Sequence, residues 1–327
     1  MSAPKLTEAW ARDAADQVDV VHLHWLEFIA PSAPGAVVGA AKTARRALRL
    51  ERLLRGLRAH GVAVVWTIHN LAPHEPVHRL IEQRLSRDVA GIVDAAIVHS
   101  EHARTHAANH FGHVEKFTVI PHGNYIGAYP APGIPPTELR RSRGIPDEAY
   151  VFLSFGQVRR YKRLPELAEA FRALRGDDLR LLIVGAPVDA TEADRLRRLA
   201  AADERIVLDL RRIPTDEVTA VHALADAAVF SYDDMFSSGS ALLALSCDLP
   251  IVAPADSTGT EIAEAGAVVP ITSGDLTGAL DTIRGGDRAA QRAAARSTAA
   301  RYDWDDVAQA TAEVYRTACR SARLNSR

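Results

Sequence analysis

Short apolar runs of strand length alternate with helix-like segments along almost all 327 residues, and nothing else in the sequence constrains the fold as much. Strands covered by helices on both faces read as near-continuous apolar runs, so this alternation predicts a parallel α/β sheet. In the first part of the chain the strand candidates are Val18–His24, Val62–Ile68, Ala95–His99 and Phe117–Ile120. Helices are expected between them over Lys42–His60, Val77–Val89 and Glu101–Phe111. The segment from Tyr125 to Pro136 is too rich in proline and glycine for regular structure and reads as a linker.

A second series follows. Its strand candidates are Val151–Phe155, Leu179–Val184, Arg205–Leu210, Ala227–Tyr232, Ile251–Ala253 and Ala267–Pro270. Helices are expected over Glu166–Arg175, after Thr191, after Pro214-Thr215, from about Ser240, from Thr260, and from Asp305 to about Cys319. The fold expected is α/β, with two Rossmann-like domains facing each other across a cleft. The boundaries predicted are 1–125 for the first domain, 126–148 for the linker, 149–300 for the second domain and 301–327 for a closing helix. With about four strand candidates, the first domain reads as lacking an initial βαβ unit.

Composition narrows the function. A net charge of −2 provides no basic field for a nucleic acid. Cys247 and Cys319 stand far apart, with no disulfide or zinc spacing, and a reducing cytoplasm is the expected location. No apolar run approaches membrane-spanning length, and the first residues lack a signal-peptide pattern.

Two loops of the second series suit a phosphate-bearing ligand. After the strand Val151–Phe155, Gly156 opens a loop carrying Arg159 and Lys162, and Pro165 then starts a helix. Ligands of open α/β sheets sit beyond the carboxyl ends of strands, where an arginine fork and a lysine point charge can hold phosphate. The plain alternative is a βα loop with solvated cations. After the strand ending at Tyr232, Ser237, Ser238 and Gly239 lead into an apolar helix whose unpaired N–H groups can bind phosphate oxygens. Ordinary serine capping is the alternative there.

Histidines mark the strand ends of the first series. His22 and His24 close the first strand, His69 and Asn70 follow the second, and His122, Gly123 and Asn124 follow the fourth. A single such histidine is usually a structural hydrogen-bonder, but several at one sheet edge can bond sugar hydroxyls and phosphates.

Four of these segments carry a family resemblance. Phe155-Gly-Gln-Val-Arg-Arg-Tyr-Lys162, Val119-Ile-Pro-His-Gly-Asn124 and Thr67-Ile-His-Asn70 are three of them. The fourth is Ser237-Ser-Gly-Ser-Ala-Leu-Leu-Ala-Leu-Ser246, followed by Leu249-Pro-Ile-Val-Ala-Pro254. Together, from about Asp19 onward, the chain resembles the family 4 glycosyltransferases, which are retaining enzymes of the two-lobed GT-B fold. The resemblance implies that Arg159 and Lys162 bind the diphosphate of a nucleotide-sugar donor, that Gly156, Ser237, Ser238 and Gly239 close around it, and that Arg212 and Ile213 meet the base. It also implies that His69 lies near the donor sugar and acceptor, with His24, Asn70, His122, Gly123 and Asn124 lining the acceptor side. The final helix is expected to return to the N-terminal domain. No metal and no cofactor beyond the donor are expected, because the cationic side chains take the role of a magnesium ion.

One departure stands out. Many members carry two glutamates, eight residues apart, that contact donor sugar and ribose. Counting back from Pro250, those positions hold Met235 and Leu243. Asp233 or Asp234 is the expected substitute for the first, and Glu261 for the second. Asp303-Trp304-Asp305 matches the acidic motif of metal-dependent glycosyltransferases, but its place before the last helix reads as capping. The alternatives to a glycosyltransferase are a nucleotide-sugar epimerase of the same fold and a non-catalytic nucleotide-sugar-binding partner. The acceptor expected is a carbohydrate, a lipid-linked sugar or a natural product. Residues 42–58 form a basic amphipathic helix with seven cations and one acid. Packing on the sheet is its plain role, and contact with an anionic membrane at the inner face of the cell is the sharper one.

Overall fold

The structure is a computed structural model that describes residues 17–73, 76–233, 235–237 and 239–325. The chain divides into two compact units, the first running to Pro121 and resuming at Asp305, the second spanning His122–Trp304.

The first unit holds a parallel sheet of β1 (Val20–Leu23), β2 (Ala63–Thr67), β3 (Ala95–Val98) and β4 (Phe117–Val119), in that spatial order. β2 is buried at every residue, as its unbroken apolar run requires. Helices Val37–Ala59, Arg79–Ile92 and Glu101–Phe111 connect the strands. The last of these starts where Ser100 accepts the Ala103 N–H, and it ends at Gly112 with φ +72°. The first helix begins at Val37, five residues before Lys42. Val37 and Val38 are exposed, so the apolar periodicity that marks the rest of the helix is missing there. Helix Trp304–Asn325 supplies Val314, Ala318 and Ala322, spaced four apart on one face, to a cluster with Ala63, Val65, Ile97 and Ile120.

In the second unit the strands are β5 (Tyr150–Phe155), β6 (Leu179–Val184), β7 (Ile206–Asp209), β8 (Ala227–Val229), β9 (Ile251–Pro254) and β10 (Val268–Ile271). All are parallel, in the order β10-β9-β8-β5-β6-β7. Alternate residues of β5 feed two separate cores. Val151 and Leu153 pack with Leu242 and Leu245, whereas Tyr150 and Phe152 pack with Leu167, Phe171 and Leu280. The order reverses between β5 and β8, and the crevice at such a reversal is where ligands of open sheets bind.

Three helices of this unit were not expected. Pro136–Ser142 lies inside the segment read as linker: Pro136 occupies the first turn, where its missing N–H is no loss. Arg140 from that helix is buried, bonds the carboxylate of buried Asp226 at 2.7 Å, and reaches the carbonyls of Leu224 and Ala149. Asp226 also accepts the Val151 N–H at 2.9 Å, so this pair locks the amino ends of β5 and β8. Helices Leu276–Arg284 and Arg288–Ala300 complete the unit. The second is alanine-rich and buries only Ala295, Thr298 and Ala299, which leaves little apolar pattern to read.

Candidate functional site

The reversal between β5 and β8 determines which loops can share a ligand in the second unit. β5 ends at Phe155 and β8 at Val229, so the loop from Gly156 to Lys162 and the one from Phe230 to Gly239 leave adjacent strand ends. Backbone and side chain tie them together. The Asp233 N–H donates to the Tyr161 carbonyl at 3.1 Å, and the Ser231 hydroxyl donates to the Lys162 carbonyl at 2.6 Å.

Gly156 has φ +106°, a region open to glycine, and a Cβ there would lie 2.9 Å from Lys162 Nζ. The lysine therefore folds back over its own loop. Its ammonium donates to the Phe155 carbonyl at 3.3 Å and lies 5.4 Å from the Tyr232 ring centroid. Lys162 is only 5% exposed. Burial, and then the neighbouring charge of Arg159, pull its ammonium down to about 8. Among the described residues no carboxylate forms an ion pair with this buried cation, a setting that suits a phosphate-binding group. Arg159 is half-buried, with its Nε 3.1 Å from Gln157 Oε1.

Opposite, helix Gly239–Ser246 starts against Tyr125. A Cβ on Gly239 would lie 3.0 Å from the Tyr125 hydroxyl and 3.7 Å from His122 Nε2, which explains the glycine by close approach. His122 thus joins the second unit beside Gly239, whereas the sequence grouped it with His24 and His69. The anchors are specific. Asn124 N–H donates to the Tyr302 carbonyl, its amide to the Ala299 carbonyl, and Trp304 Nε1 to the Asn124 carbonyl at 2.7 Å. Gly123 has no room for a side chain, since a Cβ would fall 2.3 Å from Trp304 Cδ2. From sequence Trp304 is only the centre of an acidic motif read as capping and Tyr125 only the start of the linker, so neither is given a place beside the site.

Of the other donor-side candidates, Ser237 is half-buried and Glu261 is exposed on the short helix Thr258–Ile262 after β9. Arg212 is exposed and Ile213 half-buried after β7, two strands from the reversal. Asp234 and Ser238 lie outside the described residues. Met235 and Leu243 are buried, and Asp233, the substitute that is described, is exposed and paired with Arg163 at 3.4 Å.

The first unit gathers imidazoles at the carboxyl edge of its own sheet. His24 Nδ1 lies 3.0 Å from His69 Nε2, so the pair shares one proton when neutral. The His69 ring stacks on Trp25 at 4.2 Å and lies 5.4 Å from His99. Behind them His22 is held between the Tyr315 hydroxyl at 2.7 Å and the Thr67 hydroxyl at 2.8 Å. Burial, and then His24, push His22 down to about 4, so it stays neutral near pH 7. The side-chain nitrogen of Asn70 is buried with no protein partner among the described residues, a group suited to a ligand acceptor. Sequence points to this edge through the strand-end histidines and the Thr67–Asn70 segment, but gives Thr67 no role of its own and does not single out Trp25 or Tyr315. If His69 acts on substrate, His24→Ala should lower kcat about tenfold to a hundredfold by freeing its ring. Nucleotide affinity should stay unchanged, and His24→Asn should restore part of the rate. An unaltered kcat in His24→Ala would show that the pair is structural.

Residues 136–283 match the family model described as glycosyl transferases group 1. The GDP-mannose:glycolipid 4-beta-D-mannosyltransferase of Xanthomonas campestris pv. campestris is 30% identical over 260 residues, covering 77% of this chain and 68% of that protein. Among solved structures, Anabaena HepE in complex with UDP-glucose is similar at TM-score 0.70 and 17% identity, over 93% of this chain and 80% of that one. Sucrose-phosphate synthase from Thermosynechococcus elongatus is similar at TM-score 0.69 and 16% identity, over 94% and 76%. Sheet order, loop placement and these likenesses agree, and the chain belongs to the group 1 glycosyltransferases, with the GT-B fold.

Proposed function

We propose that this glycosyltransferase clamps the diphosphate of a nucleotide-sugar between the Gly156–Lys162 loop and the start of helix Gly239–Ser246. The observation that carries this reading is the buried cation Lys162 at the strand reversal, on a loop bonded to the one that leads into that helix. Charge develops on the departing diphosphate as the sugar is transferred, and Arg159, Lys162 and the helix N–H groups stabilise it in place of a metal ion. His69, with Asn70 beside it, serves the acceptor. The relative's name makes GDP-mannose the first donor to try and a glycolipid the first acceptor. A lipid-linked acceptor also suits a protein in peripheral contact with an anionic membrane.

The motif resemblance favours retention of configuration. The relative's name carries a β-linkage. From an α-linked donor that would be inversion, so the anomer of the product separates the two courses. Purified protein is to be given GDP-mannose and UDP-glucose with a glycolipid acceptor, with and without EDTA. We expect transfer that EDTA does not abolish and an α-linked product. Arg159→Ala should lower turnover by about 10²–10³-fold, the scale seen when one charge-stabilising donor is lost. Unchanged turnover and nucleotide affinity in that variant would remove the clamp; a β-linked product would remove retention alone.

A further inference from the structure

We propose that the carboxyl edge of the first unit docks on an anionic bilayer, with Phe28, Val37, Val38 and Leu80 entering the headgroup region and the adjacent arginines holding lipid phosphates. These four side chains are 78%, 83%, 66% and 81% exposed. A single exposed apolar residue needs no explanation, but four large ones brought to one rim do.

They come from separate segments. Phe28 belongs to the turn of helix Leu26–Ile29 that follows β1, Val37 and Val38 open helix Val37–Ala59, and Leu80 sits in the first turn of Arg79–Ile92. In a parallel sheet the helix that follows a strand starts near that strand's carboxyl end, so all three segments begin on one edge. Hydrogen bonds fasten them there. The Ala33 N–H donates to Thr43 Oγ1 at 3.0 Å, and the Ala33 carbonyl bonds His78 Nε2 at 2.8 Å. Arg46 donates to the Pro31 carbonyl at 2.6 Å, and Ser32 bonds Glu82. Residues 31–33 therefore join the starts of the two long helices.

Charge identifies the occupant. Behind the rim, Lys42, Arg45, Arg46, Arg49, Arg52 and Arg55 are exposed along Val37–Ala59, while Leu50, Leu53, Leu54 and Leu57 face inward. The helix's own acid, Glu51, is half-buried. An apolar wedge beside a polybasic flank supplies the two signals that reversible membrane attachment needs. No helix among the described residues is long and apolar enough to cross a membrane, so this contact is one-sided. Trp25, next to the rim, stacks on His69, which puts the imidazole edge at the height of lipid headgroups. That last link rests on the acceptor role proposed for His69; the docking does not.

The full chain is to be sedimented with phosphatidylcholine vesicles with and without phosphatidylglycerol. Wild type should pellet with the anionic vesicles only. Phe28→Glu/Leu80→Glu and Arg45→Glu/Arg49→Glu should each weaken that binding by roughly tenfold or more, since each removes one of the two signals. Their nucleotide affinity, measured by calorimetry, should match wild type, which shows folded protein and keeps failure of docking distinct from failure of the donor clamp. Absence of wild-type binding to either vesicle, or undiminished binding by both variants, would overturn the proposal. So would a wild-type dimer, seen by light scattering, that Phe28→Glu/Leu80→Glu dissociates while vesicle binding is absent, since the rim would then meet a second copy.

Discussion

Lys162→Met is expected to abolish nucleoside diphosphate binding and, at neutral pH, to raise the melting temperature of the ligand-free protein. The two effects share a cause. Folding carries an ammonium into a site where burial pulls it from its ordinary 10.5 to about 8. That shift disfavours the charged folded state by on the order of 3 kcal/mol. A methionine of similar length fills the space without the charge. The sign with pH follows from the lowered value. Wild type bears the full penalty below about pH 8, is relieved of it as pH rises toward 10.5, and bears none above. The stability gap between variant and wild type should therefore close over that window. Diphosphate binding should itself weaken for wild type above about pH 8, because the bound anion requires a protonated lysine. Thermal unfolding at pH 7 and pH 10, with and without GDP and UDP, checks each part. A methionine variant that is less stable at pH 7 and still binds would refute the assignment.

Gly185→Ala should be the most damaging single-methyl change near the site. Gly185 has φ +143°, and a Cβ would stand 2.3 Å from the Gly156 carbonyl oxygen and 2.6 Å from its carbon. Both are backbone atoms at the ends of paired strands, held by Gly156 N–H to Val184 and Gly185 N–H to Asp209, each at 2.9 Å. Neither rotation nor a flexible side chain can relieve the clash. Strain and overpacking together should lower stability by about 3 kcal/mol, or roughly 10 °C for a unit of this size. Any relief displaces Gly156 and with it the loop under Lys162, so nucleotide affinity should fall too. Gly144→Ala is the control. It has φ +66° with nothing within 4 Å, so it should lower stability by about 1 kcal/mol and spare binding. Wild-type melting and affinity in Gly185→Ala would show that the two strand ends are not packed as described.

Local signals explain which parts of this molecule could be read in advance. Helix Glu101–Phe111 announces both ends, through Ser100 and Gly112, and its bounds match the structure. Strand Leu179–Val184 is an apolar run broken only by Arg180 and matches as well. The loop Gly156–Lys162 was legible because its residue types and its place after a strand agree. What sequence could not supply is long-range. Tyr125 reaching Gly239, Trp304 closing over Gly123, and Tyr315 bonding His22 across 293 positions leave no local periodicity. Helix Pro136–Ser142 was hidden by prolines that also permit a helix start, and its reason for existing is Asp226, some eighty residues away.

The buried Arg140–Asp226 pair has a practical consequence for recombining such enzymes. A hybrid joined after residue 148 would take its Arg140 from a foreign parent. If that parent lacks the arginine, the half keeping Asp226 inherits a buried carboxylate deprived of its closest counter-ion, at the amino ends of the two strands that frame the donor loops. A junction between Pro121 and His122 carries the arginine, the aspartate and the Tyr125 wall together. The proline-rich stretch looks like a hinge, yet the heritable module begins ahead of it.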